Sequence, residues 1–461
     1  MLISDVDRLP TTEVLCIYEL KPPVAAVATT TLADIIDYGR FHGHVQASAR
    51  LLPRVANAFT LDPAALGHAD GLWPFQAVTC HALVTVRGDP LVALSMELDS
   101  ATPARVGDVA HLLAVTCFGR DQLTVAGLPI LGWLESETGW SGASFGRNVH
   151  QCVFAGGMLA EELLHDSLES TPAPAATTMV YRGTVNAPRG GPLGVRSPAA
   201  LNNPGETVLA HARGVTVVAG WSRQVQAMFA LTAITMVSAL GVLHRTRDAA
   251  FDALEQNQSA RLASTNDARR LISHLSAQLS EIQLDLCFGV EAYTDSVLMP
   301  ELLVDSFQSS LRESVALQAG LINTSRMVDR LASVIRARAA MLDAADQDER
   351  ERRGRVFNVV LAIASLIALP PSLLLAFFGV ASPDVEPSRS VVDLGQYWLP
   401  YVLAWVPFAV LLIIAFVLTW RIRSTPRLAG FNGVEAEFAA TVPAPRGGDD
   451  ALALDKRTVT G

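Results

Sequence analysis

Two long, uncharged apolar segments near the end of the chain constrain its fold more strongly than any other feature. Residues 356–380 and 397–420 contain no Asp, Glu, Lys or Arg, and they contribute to a hydrophobic content of 50% across 461 residues. As a helix, each segment is long enough to cross about 30 Å of hydrocarbon. This pattern predicts two transmembrane helices, against the alternative of two buried core helices in a soluble protein.

Charged residues are distributed asymmetrically around the two segments. The loop between them holds Asp384, Glu386 and Asp393 against Arg389. Arginines lie on the two outer sides, namely Arg352, Arg353 and Arg355 before the first segment and Arg421, Arg423 and Arg427 after the second. Because basic residues concentrate on the cytoplasmic side of a bilayer, we expect a multi-pass protein of the cell membrane with both termini in the cytoplasm.

The rest of the chain divides by composition into a mixed domain and a helical region. We therefore predict an α+β membrane protein with a cytosolic mixed α/β domain, a long helical stalk and two C-terminal transmembrane helices. The predicted boundaries are 1–220 for the α/β domain, 221–355 for the helical stalk domain, 356–380 for the first transmembrane helix, 381–396 for the outer loop, 397–420 for the second transmembrane helix and 421–461 for a cytosolic, basic and disordered tail.

Charge and motif content argue against several functional classes. The formal net charge of −10 disfavours nucleic-acid binding, which needs a basic surface. The five cysteines, at positions 16, 80, 117, 152 and 287, lack the paired spacing of a metal site or a disulfide framework. The sequence contains no nucleophile elbow, phosphate-binding glycine loop or zincin helix, so we expect neither enzymatic activity nor a bound cofactor. Charges at Asp5, Asp7 and Arg8 argue against a cleaved secretory signal.

Residues 1–220 alternate between strand-like and helix-like patterns. We expect strands at 13–20, at 82–88 and 90–98 as a hairpin, at 177–185, and at 206–221 as a hairpin turning near Arg213 and Gly214. We expect helices at 104–118 and 148–168 and a glycine- and proline-rich loop at 187–198.

A third apolar segment, residues 225–243, also has the length of a membrane span. It contains polar residues, among them Gln226, Thr232 and Thr235. Because polar positions weaken membrane insertion, we interpret it as a buried cytosolic helix, with a further span as the alternative.

The region 247–355 has helical periodicity and a single proline, Pro300, which predicts a helical hairpin. One stripe of the first helix consists of Ile272, Leu275, Leu279, Ile282 and Leu286. In the second helix, Leu321, Val328, Ile335 and Leu342 recur every seven residues. This heptad is typical of a coiled-coil seam, and it favours assembly of several copies. A helix from Leu311 through Phe378 would be about 100 Å long.

Four acidic residues, Asp343, Asp346, Asp348 and Glu349, cluster before the arginines of the first span. Two interpretations remain open. The cluster is either a solvated helix face or a cytosolic site in which Asp343 and Asp346 bind a divalent cation between subunits.

The sequence around the first span resembles the CorA family of divalent-cation channels. Pro370 stands nine residues before Gly379, and Phe378 precedes that glycine, as in the family. The family triplet Gly-Met-Asn is replaced by Gly379, Val380 and Ala381, so the selectivity motif is altered. The resemblance implies a homopentamer around the first span, with magnesium, zinc or cobalt ions as substrates and regulators.

Three polar residues of the first span, Asn358, Ser365 and Ser372, are spaced by seven and therefore share one helix face. The resemblance places Ser372 at a pore-facing position, and we expect Leu361, Leu369 and Phe378 to form apolar constrictions. At the outer mouth, Asp384 and Glu386 either concentrate cations or serve topology alone. For the serines, hydrogen bonding to their own helix is the alternative to a pore lining.

These features lead to a leading hypothesis and two alternatives. The chain is expected to be a CorA-like divalent metal channel or transporter that works as an oligomer in the lipid bilayer. The alternatives are a non-transporting sensor or effector that reuses the architecture, and a membrane-held scaffold.

Overall fold

A computed structural model describes residues 10–21, 28, 30–68, 75–99, 101–116, 123–182, 194–259, 265–295, 302–379, 395 and 398–423. The chain divides into two compact units, Met1–Asp343 and Ala344–Gly461. The first unit contains both strands and helices, and the described residues of the second are helical except for a turn at Gly395.

The described strands belong to one large sheet and one small sheet. They are β1 (Thr12–Lys21), β2 (Thr30–Thr31), β3 (Arg54–Leu61), β4 (Leu66–His68), β5 (Phe75–Val84), β6 (Pro90–Leu98), β7 (Leu123–Val125), β8 (Leu128–Pro129), β9 (Ser144–Phe154), β10 (Val208–His211) and β11 (Val215–Ala219). The large sheet has the order β10-β11-β9-β1-β6-β5-β3-β2, and the small one has the order β4-β7-β8. Neighbouring strands in the large sheet are antiparallel, except that β9 and β11 run parallel.

The helices are concentrated in the second half of the chain. They are α1 (His42–Ser48), α2 (Pro103–Thr116), α3 (Ile130–Thr138), α4 (Gly157–Glu169), α5 (Pro174–Val180), α6 (Arg223–Ser259), α7 (Thr265–Asp285), α8 (Ala292–Asp295), α9 (Leu302–Ser314), α10 (Leu317–Gly379) and α11 (Trp398–Arg423). A π-helical turn, Leu286–Glu291, connects α7 to α8. The structure therefore confirms a mixed α/β chain with a long helix.

The large sheet is buried on both faces, which explains the nearly continuous apolar sequence of its central strand. On β1, Cys16 and Tyr18 belong to one core, together with residues of α2, α4 and α5. Leu15 and Ile17 point to the opposite core, which includes α6. Since successive side chains of a strand point to opposite faces, β1 needs apolar residues at every position of its centre.

The apolar segment 225–243 lies within α6 and is buried, as predicted. Phe229, Ala233 and Met236 have no exposed surface, and they pack in the same core as the sheet. Thr232 and Thr235 donate hydrogen bonds to the carbonyls of Met228 and Leu231, at 2.9 and 3.1 Å. Their hydroxyls are therefore satisfied within the helix, and polar residues are tolerated in this core.

Three of the four heptad residues of α10 are covered by helices of the same chain, and the fourth, Leu342, is half-buried. Leu321, Val328 and Ile335 are less than 9% exposed, and they share a core with residues of α6 and α7. The predicted hairpin over 247–355 is wrong, because this region contains the end of α6, then α7, α8 and α9, and the first part of α10. The seam that favoured assembly of several copies is used within one chain.

The long helix begins later than expected. Leu311 belongs to α9, and α10 starts at Leu317 after Ala316, whose φ of +53° ends the preceding helix. The 63 residues of α10 correspond to about 95 Å at 1.5 Å per residue. Pro300 lies outside the described residues.

Two predictions for the first 220 residues are wrong. Residues 148–154 belong to β9 rather than to a helix, because pairing with β1 and β11 overrides their helical spacing. The segment predicted as a strand at 177–185 instead begins in helix α5, whose first residue is Pro174. Thr177 and Thr178 raised the strand propensity, but in the helix their hydroxyls bond to carbonyls one turn earlier.

Two helical stretches among the described residues are long and apolar enough to cross a membrane, Arg223–Asn257 and Leu317–Ala376. The most apolar part of the first is 83% buried within the protein, whereas that of the second is only 6% buried. A shorter apolar stretch, Trp398–Val410, lies in α11. The second unit thus presents apolar helices whose large side chains are exposed.

Candidate functional site

The predicted pore stripe lies on the second half of α10. Asn358, Ser365 and Ser372 are all exposed, and the helix is continuous through them. A seven-residue spacing rotates each position by only about 20° from the last, so the three residues share one face. Leu361 and Leu369, two of the expected constrictions, are 55% and 50% exposed.

The two serine hydroxyls of the stripe bond to their own helix. Ser365 Oγ donates to the Leu361 carbonyl at 2.8 Å, and Ser372 Oγ donates to the Leu369 carbonyl at 2.8 Å. The structure therefore has the back-bonded arrangement that was the alternative to a pore-lining role. The Asn358 amide has no hydrogen-bond partner within the described part of the chain, which leaves it as the free polar group of the stripe.

The outer mouth is described only at its first residue. Gly379 is the last residue of α10. Val380, Ala381, Asp384 and Glu386 lie outside the described residues.

The acidic cluster before the arginines is partly engaged in ion pairs along α10. Within the cluster, Glu349 bonds to Arg353 at 2.5 Å, and just after it Glu351 pairs with Arg355 at 3.5 Å. Asp343 is exposed and Asp346 is half-buried, three residues apart on the same helix. Over the described ranges, no group of three or more His, Cys, Asp or Glu side chains is arranged to hold a metal ion.

A polar pocket in the first unit was not predicted from the sequence. It has a volume of about 260 Å³ and lies where β1 ends, β9 begins and the β5–β6 turn approaches α6. Its polar lining includes Glu19, Asp89, Arg147, His244, Arg245 and Asp248.

Glu19 occupies a tightly fitted position in the pocket wall. Its Oε2 accepts hydrogen bonds from the Arg147 and Asn148 backbone amides, each at 3.1 Å, and from Asn148 Nδ2 at 2.6 Å. Two glycines make space for it, because a Cβ on Gly146 would overlap Glu19 Cδ, and one on Gly241 would lie 3.0 Å from Oε1. Residues distant in the sequence thus fix the carboxylate, through backbone donors, the Asn148 side chain and the missing side chains of two glycines.

Replacing Gly146 with alanine is expected to lower the free energy of unfolding by about 1–3 kcal/mol, because the new methyl group overlaps Glu19. The shift in the denaturant midpoint measures this effect. Gly132→Ala is the matched control, since Gly132 sits in helix α3 and no atom lies within 4 Å of the position that its Cβ would take. The control should be unchanged or more stable by up to about 1 kcal/mol. A Gly146→Ala protein as stable as the wild type would show that the Glu19 position is not fixed.

A charged network closes one side of the pocket. Arg245 pairs with Asp89, and its Nη2 lies 3.0 Å from Asp285 Oδ2. The Arg87 Nε donates to Asp285 Oδ1. The side chains of Asp89 and Asp285 are only 13% and 10% exposed, so the network connects the β5–β6 turn to α6 and α7 across a nearly dry contact.

The turn that carries Arg87 and Asp89 is shaped by its own hydrogen bonds. The Thr85 amide donates to the Asp89 carbonyl at 2.8 Å, and the Asp89 amide donates to Thr85 Oγ1 at 3.0 Å. Gly88 has a φ of +85°, which glycine adopts without strain. The turn was predicted from Gly88, Asp89 and Pro90, but its two charged partners were not.

The chain matches no model of a known protein family, no curated protein and no solved structure.

Proposed function

We propose that this chain is a membrane protein in which α10 and α11 cross the bilayer and α10 lines a CorA-like pathway for divalent cations. The single observation that carries the proposal is that burial and composition change along α10. Its first part contributes buried heptad residues to the first unit, and its later part, from Val356 onward, is uncharged, apolar and largely exposed. Exposed apolar side chains of this kind are stable in lipid rather than in water.

The order of elements agrees with the resemblance to the CorA family. A mixed sheet is followed by long helices, by one helix that continues into the first apolar span, and by a second apolar helix. In this proposal both termini are cytoplasmic, and the partners are lipid and further copies of the chain, five by family resemblance. The substrate is magnesium, zinc or cobalt, and the chain performs no enzymatic reaction and carries no cofactor.

Asn358 is the residue of the stripe whose role is best supported. Its amide is exposed and has no partner in the described structure, and a free amide facing lipid is unfavourable. These observations support a position in the shared pathway, where Asn358 would contact water or the ion.

A second function, a sensor or effector that does not transport, is favoured by two observations. Alanine replaces the asparagine of the family triplet, and both stripe serines are bonded to their own helix. The polar pocket of the first unit would then be the ligand site of the sensor.

Uptake of magnesium, zinc and cobalt by proteoliposomes containing the full chain tests the proposal. The wild type should transport at least one of these ions, and Asn358→Leu should reduce the rate about tenfold, equivalent to about 1.4 kcal/mol in the barrier. Val360→Leu, on another face of the helix, is the matched control and should transport normally.

Ala381→Asn restores the family triplet at its third position and should increase magnesium uptake. Absence of flux for all three ions, in an assembled oligomer and in both the wild type and this variant, would contradict transport and leave the sensor function.

A further inference from the structure

We propose that the polar pocket of the first unit binds a small oxyanion, a phosphate or carboxylate group, through Lys21, Arg147 and His244. The inference does not depend on transport, because binding to the pocket is measured separately from flux. It is based on which hydrogen-bonding groups of the pocket are already used and which are free.

Two acceptors of the pocket, on Glu19 and Asp89, already have partners within the protein. Glu19 accepts three hydrogen bonds through Oε2. Asp89 pairs with Arg245 and accepts a hydrogen bond from Thr85 Oγ1 at 3.2 Å. Since Arg245 is in turn bonded to both Asp89 and Asp285, these groups neutralise one another. Glu19 Oε2 and the Asp89 carboxylate are therefore already engaged by donors of the protein.

Two of its basic side chains are largely free. Lys21, at the end of β1, is exposed, and its ammonium has no partner among the residues described. The Arg147 guanidinium makes one long ion pair, 3.8 Å from Nη2 to Asp248 Oδ2, with side chains 66% and 54% exposed. A surface pair of this kind contributes about 0–1 kcal/mol, so a bound anion can replace or share it.

The hydrogen bonds of Asn148 determine the tautomer of His244. Asn148 Nδ2 donates to the Glu19 carboxylate, which identifies this atom as the amide nitrogen. The same nitrogen lies 3.1 Å from His244 Nδ1, so that ring atom accepts the bond. A neutral His244 must then carry its proton on Nε2, where the described structure provides no acceptor.

Burial lowers the pKa of His244 below its usual value, so the ring is neutral at pH 7. In this form Nε2 is a fixed donor. The pocket thus combines two cationic groups and one neutral donor, which is a donor set suited to an oxyanion.

The size and position of the pocket indicate the kind of ligand and its effect. A volume of about 260 Å³ is below the range of drug-sized sites, roughly 300–1,000 Å³, and fits a small metabolite anion. His244, Arg245 and Asp248 all lie on α6, whose buried residues share a core with α7 and α10. A ligand bound in the pocket therefore contacts α6, which is a helix of that core.

Calorimetric titration of the detergent-solubilised full chain at low salt tests the proposal. Inorganic phosphate and succinate are the two probes, titrated separately. The wild type should bind at least one of them in a 1:1 ratio, and Arg147→Gln and Lys21→Gln should each weaken binding about tenfold, corresponding to the loss of one charged hydrogen bond. Binding of phosphate alone or of succinate alone supports the site and assigns the oxyanion.

Asp248→Asn provides a test in the opposite direction. Removing the carboxylate that competes for Arg147 should strengthen anion binding several-fold. Arg54→Gln, an exposed arginine on β3 of the same sheet, is the matched control and should leave binding unchanged.

The proposal is overturned if neither anion binds the wild type, or if Arg147→Gln and Lys21→Gln bind as tightly as the wild type. Anion binding without cation flux would support this site and contradict only the proposed transport function.

Discussion

Replacing Asp285 with alanine is expected to lower the free energy of unfolding of the first unit by about 3 kcal/mol. The Asp285 carboxylate is the shared partner of Arg87 and Arg245, and its side chain is only 10% exposed. Removal leaves two arginines with reduced charge compensation in a partly buried contact, and loss of one partner of a buried pair destabilises by about 3–5 kcal/mol. The lower end applies here, because the arginines are 26% and 35% exposed. Denaturant unfolding followed by circular dichroism measures the change.

Glu281→Ala is the control for this experiment. Glu281 also faces Arg87, but at 3.9 Å and with a side chain that is 74% exposed. Solvent screens such a pair, so the variant should stay within about 0.5 kcal/mol of the wild type. Equal effects of the two substitutions would mean that the network does not hold the β5–β6 turn on α6 and α7.

Acid is expected to destabilise the first unit through two buried histidines. Burial lowers the pKa of His150 to about 3 and that of His211 to about 4, from 6.5. Below pH 6.5 the unfolded chain takes up protons that the folded chain does not, so stability is lost as the pH falls. For each histidine, the free energy of unfolding falls with a slope of about 1.4 kcal/mol per pH unit. Between pH 6.5 and 4.5 it decreases by about 2 kcal/mol for each.

Burial is the main reason that the folded state keeps the two rings neutral, and hydrogen bonds hold both rings in place. His150 Nε2 lies 2.8 Å from Thr216 Oγ1, and its Nδ1 lies 3.2 Å from the Arg213 carbonyl. His211 Nε2 lies 2.7 Å from Ser310 Oγ on α9, and the charge of Arg196 further lowers its pKa.

The dependence of the free energy of unfolding on pH shows whether these two histidines or other titrating groups cause the loss of stability in acid. His150→Gln and His211→Gln should each flatten the slope between pH 6.5 and 4.5, whatever their effect on stability at pH 7. His44→Gln, at an exposed position of α1, should leave it unchanged. An unaltered slope in both buried variants would show that other groups cause the acid loss.

The sequence correctly predicted those strands and turns that are marked by a local pattern of apolar residues or by turn residues. The apolar residues of β1, the turn between β5 and β6, and the hairpin of β10 and β11 were all identified from the sequence. The segment 148–154 failed because its conformation depends on two strands that are distant in the sequence. The heptad of α10 was recognised correctly, but periodicity does not show whether the covering helix belongs to the same chain.

The polar pocket could not be predicted from local sequence, for a physical reason. Its side chains come from four parts of the chain that are distant in sequence, namely β1, the β5–β6 turn, β9 and α6. Glu19 and Asn148 are 129 residues apart, yet the hydrogen bond between them determines the tautomer of His244. Such a site is defined by sheet order and strand register, which the sequence pattern does not provide.

A cation pathway lined by α10 needs several copies of that helix around one axis, because two spans per chain cannot enclose water. Three of the four heptad residues of α10, Leu321, Val328 and Ile335, are buried within their own chain, so assembly must use mainly other surfaces of the protein. Counting the subunits of the full chain in mild detergent, by native mass spectrometry, tests this requirement directly. The proposed function gives five copies, and a monomer would contradict it.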